Sequence, residues 1–330
     1  MIQTRNLSLL GLSFTLLLGA CGAPRSSQAA LQSVNFSCRL PVGSNPVGAG
    51  GFVEFPSGRF VADAGSQVSY DPRSERWLPV SRSMVSPDGT SYIRIEYSKP
   101  GPSIEIHIVD AATGKDRALW REDSIVLVLG WTSDGAYFVR PASSTGTGPQ
   151  LWLLDPGSGR RRMVASDLEK NAGFPLFKAW SGMAEGAAWS KTVANTRPSS
   201  DVLVRINLAD GRASAWFNAG SATTLDVLGW DGQGRPYLAI GQNPVRVALL
   251  EARDHARPIA SNGFSWSVGL SDNGVQDDHG FWVTGESGSI WLFAGTGGLK
   301  RVAKVPVPPA AHPGSDMPGI TQMFIAGPCS

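Results

Sequence analysis

The sequence predicts an all-β fold: a ring of four-stranded antiparallel sheets, a six-bladed β-propeller, with seven blades as the alternative count. Three observations lead there. The 330 residues include 39 Gly, 23 Pro and 11 Trp but only 17% charged side chains, a composition that favours short strands and turns over long helices. A hairpin signature recurs along the chain at a near-constant interval, the mark of a repeat architecture. Between successive copies stands a second hairpin, so each unit holds four short strands. The formal net charge is +2, from 29 basic and 27 acidic residues, which gives no electrostatic footprint for nucleic acid.

At the N-terminus, Arg5 precedes an apolar stretch from Leu9 to Leu18. That run is too short to span a bilayer and suits a secretory leader. It ends in Leu18-Gly19-Ala20-Cys21, which resembles the bacterial lipobox. The resemblance implies cleavage before Cys21, a diacylglyceryl (palmitate-type) lipid on its thiol, and acylation of the new amino terminus. Residues 1–20 are then a lipoprotein signal peptide, and the protein is exported and held to the cell envelope by its lipid anchor alone. Two or three acyl chains anchor stably where one is marginal. The alternative is a secreted protein with an incidental cysteine. Residues 21–33 read as a flexible tether, small and polar, and 34–330 as a single propeller domain.

The most complete copy of the first hairpin is Ser86-Pro87-Asp88-Gly89, followed by an alternating run with Tyr92, Ile93, Ile95 and Tyr97. Proline presets φ, and Asp-Gly takes the positions that want φ near or above zero. Its relatives are marked by Gly58, Gly135, Gly186, Gly234 and Gly280. From Gly89 onward the intervals are 46, 51, 48 and 46 residues, and the first interval, 31, marks an abbreviated unit. An aromatic follows each glycine by two or three positions: Phe60, Tyr92, Tyr137, Trp189, Tyr237 and Trp282. These six glycines are expected on one rim, with helix nearly absent.

The second hairpins start near Val68, Ile106, Leu151, Val204, Val247 and Ile290, and Gly114, Gly159, Gly211 and Gly298 close four of their turns. A sheet with two apolar faces cannot bury both alone; a closed ring covers them and leaves no long free edge. The set resembles the bacterial TolB-type propeller repeat, in full at Ser86 to Gly89 and in part at Ser133-Asp134-Gly135. The resemblance spans most of residues 52–305. It implies the fold and leaves function open, because the repeat serves binding scaffolds and enzyme accessory domains alike.

After the last hairpin the chain is Pro-rich from Val305 to Gly319 and ends in a strand pattern from Ile320 to Ala326. A second terminal strand pattern runs from Val34 to Val42. The two are expected to meet in one blade and close the ring, or to form part of a seventh. Cys38 and Cys329 remain once Cys21 is lipidated; an even pair at the two ends of an exported domain suggests a disulfide at that seam. Two separate buried thiols are the alternative.

Reactive chemistry is thinly signposted. His107, His255, His279 and His312 include no helical metal pair and no CxxC exists, so neither metal nor cofactor is expected. Asp272, Asn273, Asp277, Asp278 and His279 lack the order of a calcium loop and read as an exposed turn. There is no Gly-x-Ser-x-Gly elbow. Ser144 to Gly148 lacks a P-loop lysine, and Arg160 to Arg162 read as a solvated hairpin end. Glu54, Glu96, Glu185 and Asp226 are the acidic residues near inner strands available for paired carboxylate chemistry. Trp131, Trp180 and Trp230 recur at intervals of 49 and 50; they either pack between blades or form an aromatic face of the central channel. The reading is a binding or interaction module whose partner is a protein, peptide or glycan. A hydrolase or lyase acting on envelope or extracellular carbohydrate, and a structural envelope component, are the alternatives. Three or more carboxylates at the axis would favour an enzyme, whereas aromatics with neutral polar groups would favour binding.

Overall fold

A computed structural model describes residues 29–45, 47–97, 103–141, 148–166, 168, 177–194, 200–220, 223–241, 244–266, 274–307 and 322–330. Cys21, Ser144 to Thr147, Asp272, Asn273 and His312 lie outside them. The described strands form seven antiparallel sheets. Sheet 1 holds β1 (Cys38–Asn45), β2 (Gly51–Phe55) and β3 (Arg59–Ala62), and the last strand, β25 (Gln322–Ile325), pairs beside β1 to give the order β25-β1-β2-β3. Sheet 2 is a two-stranded hairpin, β4 (Ser69–Asp71) and β5 (Arg76–Leu78). Sheet 3 has β6 (Ser91–Tyr97), β7 (Ile104–Asp110) and β8 (Asp116–Glu122), with a single bridge from Val85 to Tyr92 in place of a fourth strand.

The remaining sheets each have four strands. Sheet 4 is β9 (Leu127–Thr132), β10 (Gly135–Arg140), β11 (Gln150–Leu154) and β12 (Arg161–Ala165). Sheet 5 is β13 (Phe177–Ala184), β14 (Ala187–Ala194), β15 (Ser200–Asn207) and β16 (Ala213–Asn218). Sheet 6 is β17 (Leu225–Trp230), β18 (Pro236–Ile240), β19 (Arg246–Ala252) and β20 (His255–Ile259). Sheet 7 is β21 (Val275–Asp277), β22 (Gly280–Thr284), β23 (Ser289–Phe293) and β24 (Lys300–Lys304). The helical residues among those described are two single 3-10 turns, Arg82–Met84 and Glu286–Gly288, and Leu168.

Alternation along these strands gives the sheets apolar faces, and from sheet 3 through sheet 7 to sheet 1 these are covered pairwise. Ile93, Ile104 and Ile106 of sheet 3 pack with Phe138 and Leu154 of sheet 4. Tyr137 and Leu151 meet Val202 and Ile206 of sheet 5, whose Trp189 and Leu203 meet Leu238 and Leu250 of sheet 6. Tyr237 and Leu249 pack with Phe281 and Trp291 of sheet 7. Trp282 and Val302 then join Leu40, Val53, Met323 and Ile325 of sheet 1. Of the six aromatics that follow the hairpin glycines, Tyr137, Trp189, Tyr237 and Trp282 are buried at these joints, and Phe60 and Tyr92 are half-buried.

The turn between the two outer strands is tied to the sheet before it in sheet 1 and in sheets 3 to 7, and in sheet 2 the strand β5 makes the tie. Arg76 of β5 donates to the Ala111 and Ala112 carbonyls at 3.2 and 3.1 Å, and Arg117 of β8 to the Pro156 carbonyl at 2.7 Å. The amides of Asp254 and Leu299 donate to the carbonyls of Trp216 and Ala260, at 2.8 and 2.7 Å. Gly211 lies against Val164 and Ala165 of β12, and Gly58 against the Val302 carbonyl of β24. Trp77 Nε1 donates to Asp63 just beyond β3 at 2.9 Å, while Phe52, Tyr70 and Trp77 pack together. The joints therefore run through all seven sheets and return to the first, a closed propeller.

Two expectations are corrected. The first unit is out of phase: Gly58 turns between β2 and β3, the outer strands of sheet 1, whereas Gly89, Gly135, Gly186, Gly234 and Gly280 turn between inner strands. The hairpin after Val68 is a sheet of its own, so there are seven sheets where the sequence pattern suggests six units. The expected exposed turn at Asp277 is also wrong for that residue. Its carboxylate is buried and accepts from Trp282 Nε1 at 2.7 Å and from the Cys329 and His279 amides at 2.8 Å each. It ties the C-terminus to sheet 7.

The terminal strands meet as expected, from Val42 opposite Ile325 to Asn45 opposite Gln322, and Cys38 is disulfide-bonded to Cys329 with Cα atoms 5.5 Å apart. The bridge closes a loop of 291 residues, at the top of the chain-entropy range, about 5 kcal/mol. Replacing Cys329 with Ser should lower the melting temperature by roughly 8 °C for a domain this large. Calorimetry of oxidised wild type and variant checks this, and equal melting temperatures would show that the strand pairing alone holds the seam.

Candidate functional site

The inner strands converge on a cavity of about 560 Å³. Its wall draws on every sheet: Ile325 and Phe324 from sheet 1, Val68 beside sheet 2, the Ser81–Ser83 segment before sheet 3, then β9, β13, β17 and β21. Only an axial position gives all seven sheets access to one space.

The wall is aromatic and apolar, with a few polar groups. Trp131, Trp230 and Phe324 supply rings, Met183 a thioether, and Thr132 and Gln276 neutral hydrogen-bonding groups. Arg82 is the cation and Glu185 the one carboxylate among the described lining residues. Gln276 is held in place, donating through Nε2 to the Asp277 carbonyl at 2.9 Å and receiving the Tyr237 hydroxyl at 3.4 Å. Burial, with the Asp231 charge adding to it, pushes the Tyr237 hydroxyl up to about 12, so it stays a donor.

Local strand chemistry sets these positions. Each of β9, β13 and β17 carries a register shift near a glycine, at Gly130, Gly182 and Gly229. A bulge re-aims the residues beside it. Gly229, at φ +155°, has no room for a Cβ, which would stand 2.8 Å from the Phe281 ring and 2.9 Å from the Gly274 carbonyl. Trp131 pairs with Ala136, Met183 with Ala188 and Trp230 with Pro236, and each directly follows the glycine of its strand's register shift. Met183 is thus the counterpart of the two tryptophans in sheet 5. Trp180 is three residues earlier, opposite Ser190, and packs beside the core shared by sheets 4 and 5. The 49- and 50-residue spacing placed it by distance along the chain, which the longer β13–β14 pairing displaces.

The acidic residues do not assemble at the axis. Glu54 pairs with Arg59 at 2.6 Å, and Asp226 with the buried Lys191 at 2.5 Å, with Asp201 3.9 Å away. Glu96 lies on sheet 3, where strand register sets Glu105 opposite it and His107 opposite Arg94. Their ligand atoms lie within 4.8 Å of one another. Local spacing did not show that grouping; the facing triplets Arg94-Ile95-Glu96 and Glu105-Ile106-His107 would, once paired. His255 is exposed at a hairpin end near Glu251. At Ser86 to Gly89, hydrogen bonds from the Ser86 hydroxyl and from the Thr90 amide and hydroxyl hold the Asp88 carboxyl down to about 2. That tetrad is a turn device.

No family model matches the chain, and no curated protein is similar to it. Among solved structures it is similar to TolB from Acinetobacter baumannii, at 12% identity and a TM-score of 0.42 over 65% of this chain and 52% of that one. It is similar also to the β-propeller domain of the Trilobed protease from Pyrococcus furiosus, at 14% identity and a TM-score of 0.44 over 67% and 68% of the two chains. A putative 6-phosphogluconolactonase from Bacteroides fragilis gives 12% and 0.42 over 66% and 67%. The chain spans about half the length of TolB. The propeller assignment rests on the strand pairing and sheet joints above.

Proposed function

We propose that this protein is a lipid-anchored, extracytoplasmic binding module, a seven-bladed propeller with a shortened second blade, whose axial cavity takes a short peptide segment. The lining carries the reading: two indole rings, a phenyl ring and a thioether beside one cation and one anion. Apolar walls with a few oriented polar groups are how small binding sites work, and the volume is within their usual range of about 300–1,000 Å³. Arg82 and Glu185 match the opposite charges of a peptide, and the rings match an apolar side chain. Glycoside hydrolysis ordinarily uses a pair of carboxyl groups, and Glu185 is the one carboxylate among the described lining residues. The lipobox-like Leu18-Gly19-Ala20-Cys21 supports the anchor and the exported location.

A library of tri- to pentapeptides screened by ligand-observed NMR tests the cavity. A subset should bind the wild type and the Trp180→Ala variant and lose at least tenfold in affinity to Trp131→Ala/Trp230→Ala. Failure of every peptide, or equal binding by the double variant, would remove the reading; retention of an oligosaccharide pool in its place would turn it to glycans.

Metabolic labelling with a palmitate analogue tests the anchor separately. The wild type should be labelled and should fractionate with membranes, and Cys21→Ser should do neither. Equal labelling of both would remove the lipobox reading and leave the cavity untouched.

A further inference from the structure

One face of sheet 3 is apolar and the other is charged. Its Ile93, Ile104 and Ile106 face is core, but the opposite face presents Arg94, Glu96, Glu105 and His107, with Asp116 beside them on β8. The sheet on that side is the hairpin of two three-residue strands, whose Arg76 reaches only the turn at Ala111 and Ala112. Glu96 and Glu105 accordingly keep 48% and 41% side-chain exposure. A full neighbouring sheet would demand apolar residues here; the short one permits charge.

We propose that Glu96, Glu105 and His107 form a binding site for a divalent transition-metal ion of the zinc type. The imidazole is set as a ligand. Its Nδ1 lies 2.8 Å from Asp116 Oδ1, and with Nδ1 donating that hydrogen bond the lone pair of a neutral ring is on Nε2. Carboxylates orient metal-binding histidines in this way. The His107 side chain is 12% exposed, and its Nε2 is buried without a hydrogen-bond partner.

Two carboxylate oxygens stand around that nitrogen, Glu96 Oε2 at 3.6 Å and Glu105 Oε2 at 3.8 Å. Both are beyond hydrogen-bonding range. They are near the separation of two donors on one tetrahedral ion, since bonds of about 2.0–2.2 Å at the tetrahedral angle put donors about 3.3–3.6 Å apart. Arg94 pairs with Glu96 Oε1 at 2.8 Å and with Asp116, which holds both carboxylates while leaving Glu96 Oε2 toward the imidazole. Arg94 and, opposite Glu105 on β8, Arg121 supply positive charge at the margin, while Glu96 and Glu105 face each other directly; a divalent ion between them relieves that repulsion. One nitrogen and two oxygens suit zinc or manganese; calcium takes six to eight oxygens. A water completes the fourth position.

Titration of the full chain, purified in mild detergent and stripped with chelator, with ZnCl2 in a calorimeter is the test. The wild type should bind a single equivalent. Glu96→Gln, Glu105→Gln and His107→Gln should each weaken binding at least tenfold, Asp116→Asn by about 10–100-fold, and His279→Gln not at all. X-ray absorption at the zinc edge of the loaded wild type, which needs no variant to fold, should show one imidazole with oxygen ligands. Absence of saturable binding, full affinity in the two glutamate variants, or sulfur scattering from Cys21 would overturn the assignment.

Discussion

The pairing of β25 with β1 is the constraint on which the other sheets depend. A row of sheets, each covering its neighbour, always leaves two apolar faces bare at its ends. Here the last strand of the chain becomes the inner strand of the first sheet, in register from Val42 opposite Ile325 to Asn45 opposite Gln322. Met323, Ile325 and Cys329 then enter the same core cluster as Trp282 and Val302 of sheet 7. Without them the joint between sheets 1 and 7 loses its lining, and large side chains such as Trp282, now fully buried, would meet water. Burying a side chain of that size is worth several kcal/mol, so closure stabilises sheets far from the seam by keeping the row complete.

The seam is fixed by three different interactions. Backbone pairing sets its register, the Cys38–Cys329 disulfide limits how far it can open, and the buried Asp277 carboxylate holds the Cys329 amide to sheet 7. Hydrogen bonds to a charged acceptor are the stronger kind. The Ala326 amide donates to the Pro41 carbonyl and the Tyr70 amide to the Ala326 carbonyl, both at 2.9 Å. The last residues thus touch sheets 1, 2 and 7 together.

Most of the fold was legible because hairpin chemistry is local. Glycine-closed turns and strand alternation marked sheets 3 to 7 unit by unit, and two cysteines at the chain ends pointed to the seam. The features without a local signature are non-local. The turn at Ser57-Gly58 looks like the others because a tight turn is indifferent to which strands it joins; its sheet gains its inner strand from residues 322–325. The two-stranded sheet 2 therefore has no separate mark in the repeat pattern, which shows six units. The axial tryptophans were half legible. Trp131 and Trp230 each follow a bulge glycine next to their turns, but a longer pairing in sheet 5 puts Met183 in the third place. The charged face of sheet 3 needed register before His107 could be set among Glu96, Glu105 and Asp116, and it exists because sheet 2 is short.

Closure by the terminal strand is the central claim, and native-state hydrogen exchange at the Ala326 amide tests it most directly. The account predicts that this amide exchanges as slowly as the amides of β22 and β23, and that the two sets lose protection together as denaturant is raised. Exchange of Ala326 at the rate of an unstructured chain, with sheet 7 still protected, would contradict it.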